Sequence, residues 1–255
     1  MAKVITICSG KGGTGKTISA INLGIALNSM GKSVAIIDGN LTMPNIALHL
    51  GAPSPPATIS HVLLGKASIH DAIYEHSSGT KIVPGSISIS SIPKAGESGD
   101  RFGKIVQHLK KENDFIIIDS APGLSEEALL SLKACDEILV VTNPELPAVA
   151  DALKTAKMAE RMKKRVIGAI VTKIRKDDSE LAIRNVKKLL ELPILAKVPE
   201  DDSVRHSIAS RNAVVITHPK SPASQAYMRL ASKIAREDYR DEKSFLERIF
   251  GWMLR

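Results

Sequence analysis

Eight residues near the amino terminus, Gly10-Lys11-Gly12-Gly13-Thr14-Gly15-Lys16-Thr17, constrain this chain more than any others. They fit G-x-x-x-x-G-K-[ST], a loop that functions only between a strand and a helix. Its glycines let several backbone N–H groups turn toward one anion, and the helix that follows adds its positive amino-terminal end. Both flanks are present: Lys3 to Ser9 reads as a buried strand, and Gly15 to Met30 as a helix. Average composition would produce such a match by chance in roughly one chain in a hundred. The expected contacts run from Gly10 to Thr17, with Lys16 on the β- and γ-phosphates and the Thr17 hydroxyl on magnesium.

The rest of the chain repeats the strand–helix rhythm. Ser33 to Asp38, Phe115 to Asp119, Glu137 to Thr142, Arg165 to Thr172 and Ile194 to Val198 are short continuous apolar runs, and Lys81 to Val83 is a further short one. Helical patterns occupy Ala148 to Lys163, Ser179 to Leu190 and Pro222 to Arg236. This order predicts an α/β fold: a single P-loop domain over 1–237, with a mostly parallel twisted sheet covered by helices on both faces. Gly85 to Asp100, rich in Ser, Gly, Ile and Pro, reads as a surface loop. Aromatic residues are only 3% of the chain, so the core must be aliphatic. The two cysteines, Cys8 and Cys135, form no C-x-x-C pair, which argues against a cysteine-held zinc or iron–sulfur site within one chain. No signal-peptide pattern and no apolar run of about 18 residues occurs, so a cytoplasmic location without a membrane span is expected.

Lys11 is an extra lysine at the start of the loop, poorly placed to fold back on its own phosphates. With it, the loop resembles the K-G-G-x-G-K-[ST] signature of the MinD/ParA family of deviant Walker A ATPases. The resemblance covers nearly the whole chain. It implies ATP hydrolysis in a homodimer that sandwiches two ATP molecules, with Lys11 crossing to the partner's nucleotide. It also implies that Asp38, at the end of the second apolar strand, helps position the attacking water. Asp119 opens Asp119-Ser120-Ala121-Pro122-Gly123, which resembles the family's D-x-x-P-G segment and implies a magnesium ligand followed by a pivoting glycine. Where the family commonly reads D-x-D, this chain reads Asp38-Gly39-Asn40, and an amide cannot take a proton. Slow hydrolysis is therefore expected, up to an ATP-binding switch that barely turns over. Thr172-Lys173 and Pro199-Glu200-Asp201, at two strand ends, resemble the base-binding segments, and no N-K-x-D guanine signature appears, so ATP is preferred to GTP.

Residues 238–255 read as a charged hinge followed by an amphipathic helix. Phe245, Leu246, Ile249, Phe250 and Met253 recur at helical spacing, flanked by Trp252. Such a helix suits the interfacial region of a bilayer. The run from Lys243 to Gly251 resembles the membrane-targeting tail of the family's MinD branch. That implies peripheral membrane association in the ATP state, an activating or cargo protein partner, and a role in placing a division site or another cellular structure. The formal charge of +8 and the basic stretch Lys154, Lys157, Arg161, Lys163, Lys164 and Arg165 keep DNA partition as the second reading.

Overall fold

The computed structural model describes residues 2–52, 56–86, 88, 99–175 and 177–237. The expected tail helix, with Phe245, Leu246, Ile249, Phe250, Trp252 and Met253, lies outside the described residues, as does most of the stretch from Gly85 to Asp100.

The chain runs β1 (Lys3–Cys8), α1 (Lys16–Ser29), β2 (Val34–Gly39), α2 (Ile46–Leu50), α3 (Ile59–Leu63), a 3₁₀ turn (His70–Ala72), β3 (Tyr74–Glu75) and β4 (Lys81–Val83). It continues with α4 (Gly99–Leu109), β5 (Phe115–Ser120), α5 (Glu126–Ala134), β6 (Glu137–Thr142), α6 (Leu146–Arg161) and β7 (Arg165–Ile174). It closes with α7 (Ile183–Leu190), β8 (Ile194–Pro199), α8 (Asp202–Ala209), α9 (Val214–Thr217) and α10 (Pro222–Ala235). The strands form one sheet in the order β3-β4-β2-β5-β1-β6-β7-β8. All neighbours pair in parallel except the edge pair β3–β4, which is antiparallel.

Strand alternation divides the core into two layers. Val4, Ala35, Ile37, Ile116 and Ile118 face α4–α7, while Ile5, Ile7, Val34, Ile36 and Ile117 face α1 and α10. Because both faces are buried, the strands read as unbroken apolar runs rather than alternating ones. The core is aliphatic, with Phe102, Phe115 and Tyr227 its buried aromatics among the described residues. None of the described helices is long and apolar enough to cross a membrane.

The mostly parallel sheet and seven of the described strands match the sequence reading to within a residue or two, and the two-residue β3 was not expected. The helices match less well. The single-turn α2, α3 and α9 are too short to show a 3.6-residue period. The third helix starts at Ile183 rather than Ser179, because Asp177 Oδ1 accepts the backbone N–H of Ser179 at 2.9 Å and holds a turn there. The expected loop ends where α4 begins, at Gly99.

The topology also locates the site. Strands added after β1 lie beyond β5 on one side, whereas β6, β7 and β8 follow on the other. The connections therefore diverge beside β1, and a crevice opens outside the carboxyl ends of the strands there, where open α/β sheets bind ligands.

Candidate functional site

The loop between β1 and α1 occupies this crevice. Gly15 is the N-cap of α1 in the left-handed region, with φ +85°, a conformation that glycine adopts without strain. A Cβ on Gly10 would sit 2.2 Å from the backbone carbonyl carbon of Asp151, so only glycine lets the loop pack against α6. Thr172 braces the far side: its hydroxyl donates to the Thr14 carbonyl at 2.5 Å and accepts from Asn143 Nδ2 at 3.2 Å. Asn143 and Thr172 thus have a structural task, tying the ends of β6 and β7 to the loop.

Lys16, Thr17 and Asp119 converge. Parallel register places Asp119 beside Ile7 of β1 and Asp38 of β2. The Thr17 hydroxyl donates to Asp119 Oδ2 at 2.6 Å, and Lys16 Nζ lies 3.6 Å from Asp119 Oδ1. Asp119 Oδ1 is buried and has no hydrogen-bond partner, nor does the buried Thr14 hydroxyl. Buried oxygens left unsatisfied are costly. A carboxylate oxygen and a threonine hydroxyl side by side are the hard donors that a magnesium ion takes alongside phosphate, so the residues fit that group. Gly123 N donates to the Ser9 carbonyl at 2.9 Å, which couples the segment after Asp119 to the start of the loop.

Asp38 is placed differently from a group facing the crevice. It is fully buried, and its carboxyl accepts the backbone N–H groups of Asn40, Asn45 and Ile46 at 3.2, 2.9 and 3.1 Å. It therefore anchors residues 40–46, and Asn40 rather than Asp38 reaches the cavity wall. Asn40 Oδ1 in turn accepts Met43 N at 3.1 Å.

The loop opens on a cavity of about 590 Å³, within the range of small-molecule sites. Gly12, Gly13, Gly15, Lys16 and Thr17 line it together with Thr172, Lys173, Pro199, Glu200 and Asp201. Gly10, Lys11 and Thr14 stand behind or outside this wall. Lys173 has φ +54°, an uncommon conformation for a residue other than glycine and one that concentrates at functional sites. Asp201 also caps α8 through Ser203 N at 2.8 Å and holds the start of α10 through Ala223 N at 3.1 Å. Sequence reasoning missed Met43, Asn45 and His49 on one side of the cavity, and Val204, Arg205 and Ile208 on the other. For α8 a signal existed: Asp201 and Asp202 form an N-cap followed by an acid in the first turn.

Lys11 stands at the surface, its Nζ 3.0 Å from Glu145 Oε2 at the start of α6. Both side chains are more than a third exposed, 37% and 46%. A pair this open contributes at most about 1 kcal/mol, so another anion can readily take Lys11 from Glu145.

Burial, and then the neighbouring charge of Asp119, push the Asp38 carboxyl from its ordinary 3.8 up to about 8, against the pull of its three N–H donors. Asp119 is also raised, by burial, with Lys16 opposing. A raised folded-state pKa means that the folded chain holds protons the unfolded chain has lost. The resulting stability is complete below about pH 4 and is lost as pH rises toward 8. Lowered carboxyls such as Asp71, Asp114 and Asp177, held down by serine donors, act in the opposite sense but below their ordinary 3.8. His49 and His76, lowered by burial, contribute stability as pH rises toward 6.5 and oppose the carboxyls there, so the fall in the urea midpoint of the nucleotide-free protein should be clearest from pH 6.5 to 7.5. The Asp38→Asn variant should show a shallower fall, and an equal slope in both proteins would contradict this assignment.

A doubly wound sheet, a glycine loop at its switch point, and a lysine, threonine and carboxylate meeting behind that loop define a P-loop nucleotide-binding protein. The ParA sequence profile, described as NUBPL iron-transfer P-loop NTPase, matches residues 1–235. The chain belongs to the ParA/MinD family of P-loop NTPases. It is 37% identical over 239 residues to an uncharacterised ATP-binding protein of Methanocaldococcus jannaschii, covering 94% of this chain and 90% of that one. It is similar to the septum site-determining protein MinD complexed with Mg-ADP from Pyrococcus horikoshii, with TM-score 0.87, 31% identity and coverage of 92% and 96%. The MinC:MinD cell division protein complex of Aquifex aeolicus matches with TM-score 0.83, 28% identity and coverage of 94% and 98%.

Proposed function

We propose that this chain is a Mg-ATP-dependent, dimerising ATPase that cycles on and off a membrane surface and positions a division site or another cellular structure, as MinD-type proteins do. The observation that carries the nucleotide part is the convergence of Lys16, Thr17 and the orphaned oxygen of Asp119 at the phosphate loop. Lys16 binds the β- and γ-phosphates, Thr17 and Asp119 hold the magnesium ion, and the loop N–H groups cradle the anion. Magnesium supplies charge neutralisation on the phosphate oxygens. Val204 and Ile208 offer an apolar wall to the base, with Lys173 and Pro199-Glu200-Asp201 around it. Lys11, released from Glu145, reaches the partner's nucleotide. An iron-transfer role finds no support in the thiols, since Cys8 and Cys135 are both buried.

The membrane part rests on the amphipathic pattern of residues 238–255. One such tail gains a few kcal/mol after ordering costs, so it binds weakly. Two tails in an ATP dimer reinforce each other by effective concentration, by factors of about a hundred. Sedimentation with vesicles containing anionic lipid should therefore be ATP-dependent and should disappear when residues 241–255 are removed. Sedimentation that ignores either change would reject the membrane cycle.

The DNA reading is weakened by the structure of its basic stretch. Lys154 pairs with Asp151, Lys157 with Glu160 and Glu191, and Arg165 with Glu137, while Lys164 donates to the carbonyls of Lys133 and Cys135. Much of that charge is already neutralised within the chain. Asn40 is the expected cause of slow turnover, and Asn40→Asp should raise kcat by roughly tenfold or more, in keeping with the scale of a positioned base. An unchanged kcat would remove Asn40 as the limiting feature.

A further inference from the structure

Away from the cavity, three metal-ligating side chains from two separate segments meet. His70 lies in the 3₁₀ turn before β3, His108 in the last turn of α4, and Glu112 in the turn that follows α4. One ligand atom from each lies within 4.8 Å of the others. The two imidazoles stand edge to face, with centroids 4.8 Å apart and planes at 82°. His108 Nε2 is buried and has no hydrogen-bond partner. Lys81 Nζ donates to Glu112 Oε2 at 2.9 Å in a partly exposed pair, which leaves the second oxygen for another cation. The hydrogen bond and charge of Lys81 hold the Glu112 carboxyl below its ordinary range, so it is ionised at neutral pH.

We propose that His70, His108 and Glu112 form a surface site for a divalent transition-metal cation of the zinc type. Two imidazoles and one carboxylate are a ligand set that zinc accepts, with water completing the tetrahedron. Ligand atoms in such a site lie roughly 3.4 Å apart, so closure asks for side-chain movement of only about 1 Å. His70 and Glu112 are exposed and free to make it. Lys81, which pairs with Glu112, is the first residue of β4, so the cluster lies toward the amino ends of the strands, away from the phosphate loop at their carboxyl ends. The site is thus separate from the magnesium position and does not depend on the nucleotide reading. A bound ion would clamp the segment carrying the 3₁₀ turn and β3 to the end of α4, and would stabilise the folded chain by mass action.

The test is titration calorimetry of the full chain with zinc chloride, in a non-chelating buffer, after loading with Mg-ADP to occupy the phosphate loop and removing the unbound nucleotide. The expected result is one zinc per wild-type chain and a raised thermal midpoint. His70→Ala and His108→Ala should each weaken zinc at least about tenfold while ADP affinity stays unchanged. Cobalt substitution should give a visible absorption spectrum that is lost in the same variants. Should His108→Ala lose its native circular dichroism, the exposed His70→Ala carries the test alone. Absence of zinc binding by the wild-type chain, or zinc affinity unaltered in His70→Ala, would overturn the site.

Discussion

Replacing Lys11 by alanine should lower ATP turnover by about a thousandfold, the lower end of what a cation delivered across an interface contributes to phosphoryl transfer. The structure gives the reason for expecting so selective an effect. Lys11 lies outside the cavity wall, and its ion pair with Glu145 is exposed and weak. Within one chain it contributes little, so Lys11→Ala should bind ATP within a few-fold of wild type and unfold at the same urea concentration. The loss should fall on kcat and on ATP-dependent dimerisation. A mixing experiment isolates action between subunits. Lys11→Ala and Asp119→Asn chains, each inactive alone, should regain measurable turnover together, because the Asp119→Asn chain retains the lysine that its partner's intact site requires. Full activity of Lys11→Ala, or no recovery on mixing chains that still form heterodimers, would refute transfer of the lysine.

Replacing Lys16 by alanine should weaken nucleotide binding by at least about a hundredfold, or ~2.7 kcal/mol. Lys16 is buried at the phosphate loop, with its Nζ 3.6 Å from Asp119 Oδ1. Its removal takes away a charge-assisted contact to the anion and leaves Asp119, already raised by burial, without the positive charge that opposes that rise. Lys16→Ala should therefore also bind magnesium–nucleotide with a stronger pH dependence, weakening as pH falls and Asp119 is protonated. Equilibrium dialysis with radiolabelled ADP at two pH values checks both effects. Affinity within threefold of wild type would mean that Lys16 does not contact the phosphates. The two substitutions should have separable signatures: Lys11→Ala on turnover through a second chain, and Lys16→Ala on binding within one.

Much of the site was legible before any coordinates, for a local reason. The phosphate loop is contiguous, so its glycines, Lys16 and Thr17 announce themselves by spacing. Asp38 and Asp119 were legible because each ends an unbroken apolar strand, and parallel strands of equal length bring their carboxyl ends to one edge. The α8 wall was harder. Val204, Arg205 and Ile208 line the cavity because β8 returns the chain to that edge, and the adjoining Pro199-Glu200-Asp201 run marks a strand end without showing that the next helix turns its side chains into the same cavity. The task of Asp38 was also hidden: spacing shows a carboxylate at a strand end but not the three N–H groups of residues 40–46 that fold back onto it.

The sequence by itself determined the fold class, the phosphate loop and the aliphatic core, because each follows from residues close together in the chain or from a period along it. The tertiary structure alone decided which carboxylate keeps an open oxygen, that Lys11 rests on Glu145, and that His70 meets His108. Those facts depend on distances between segments tens of residues apart, set by sheet order and helix packing rather than by any local propensity.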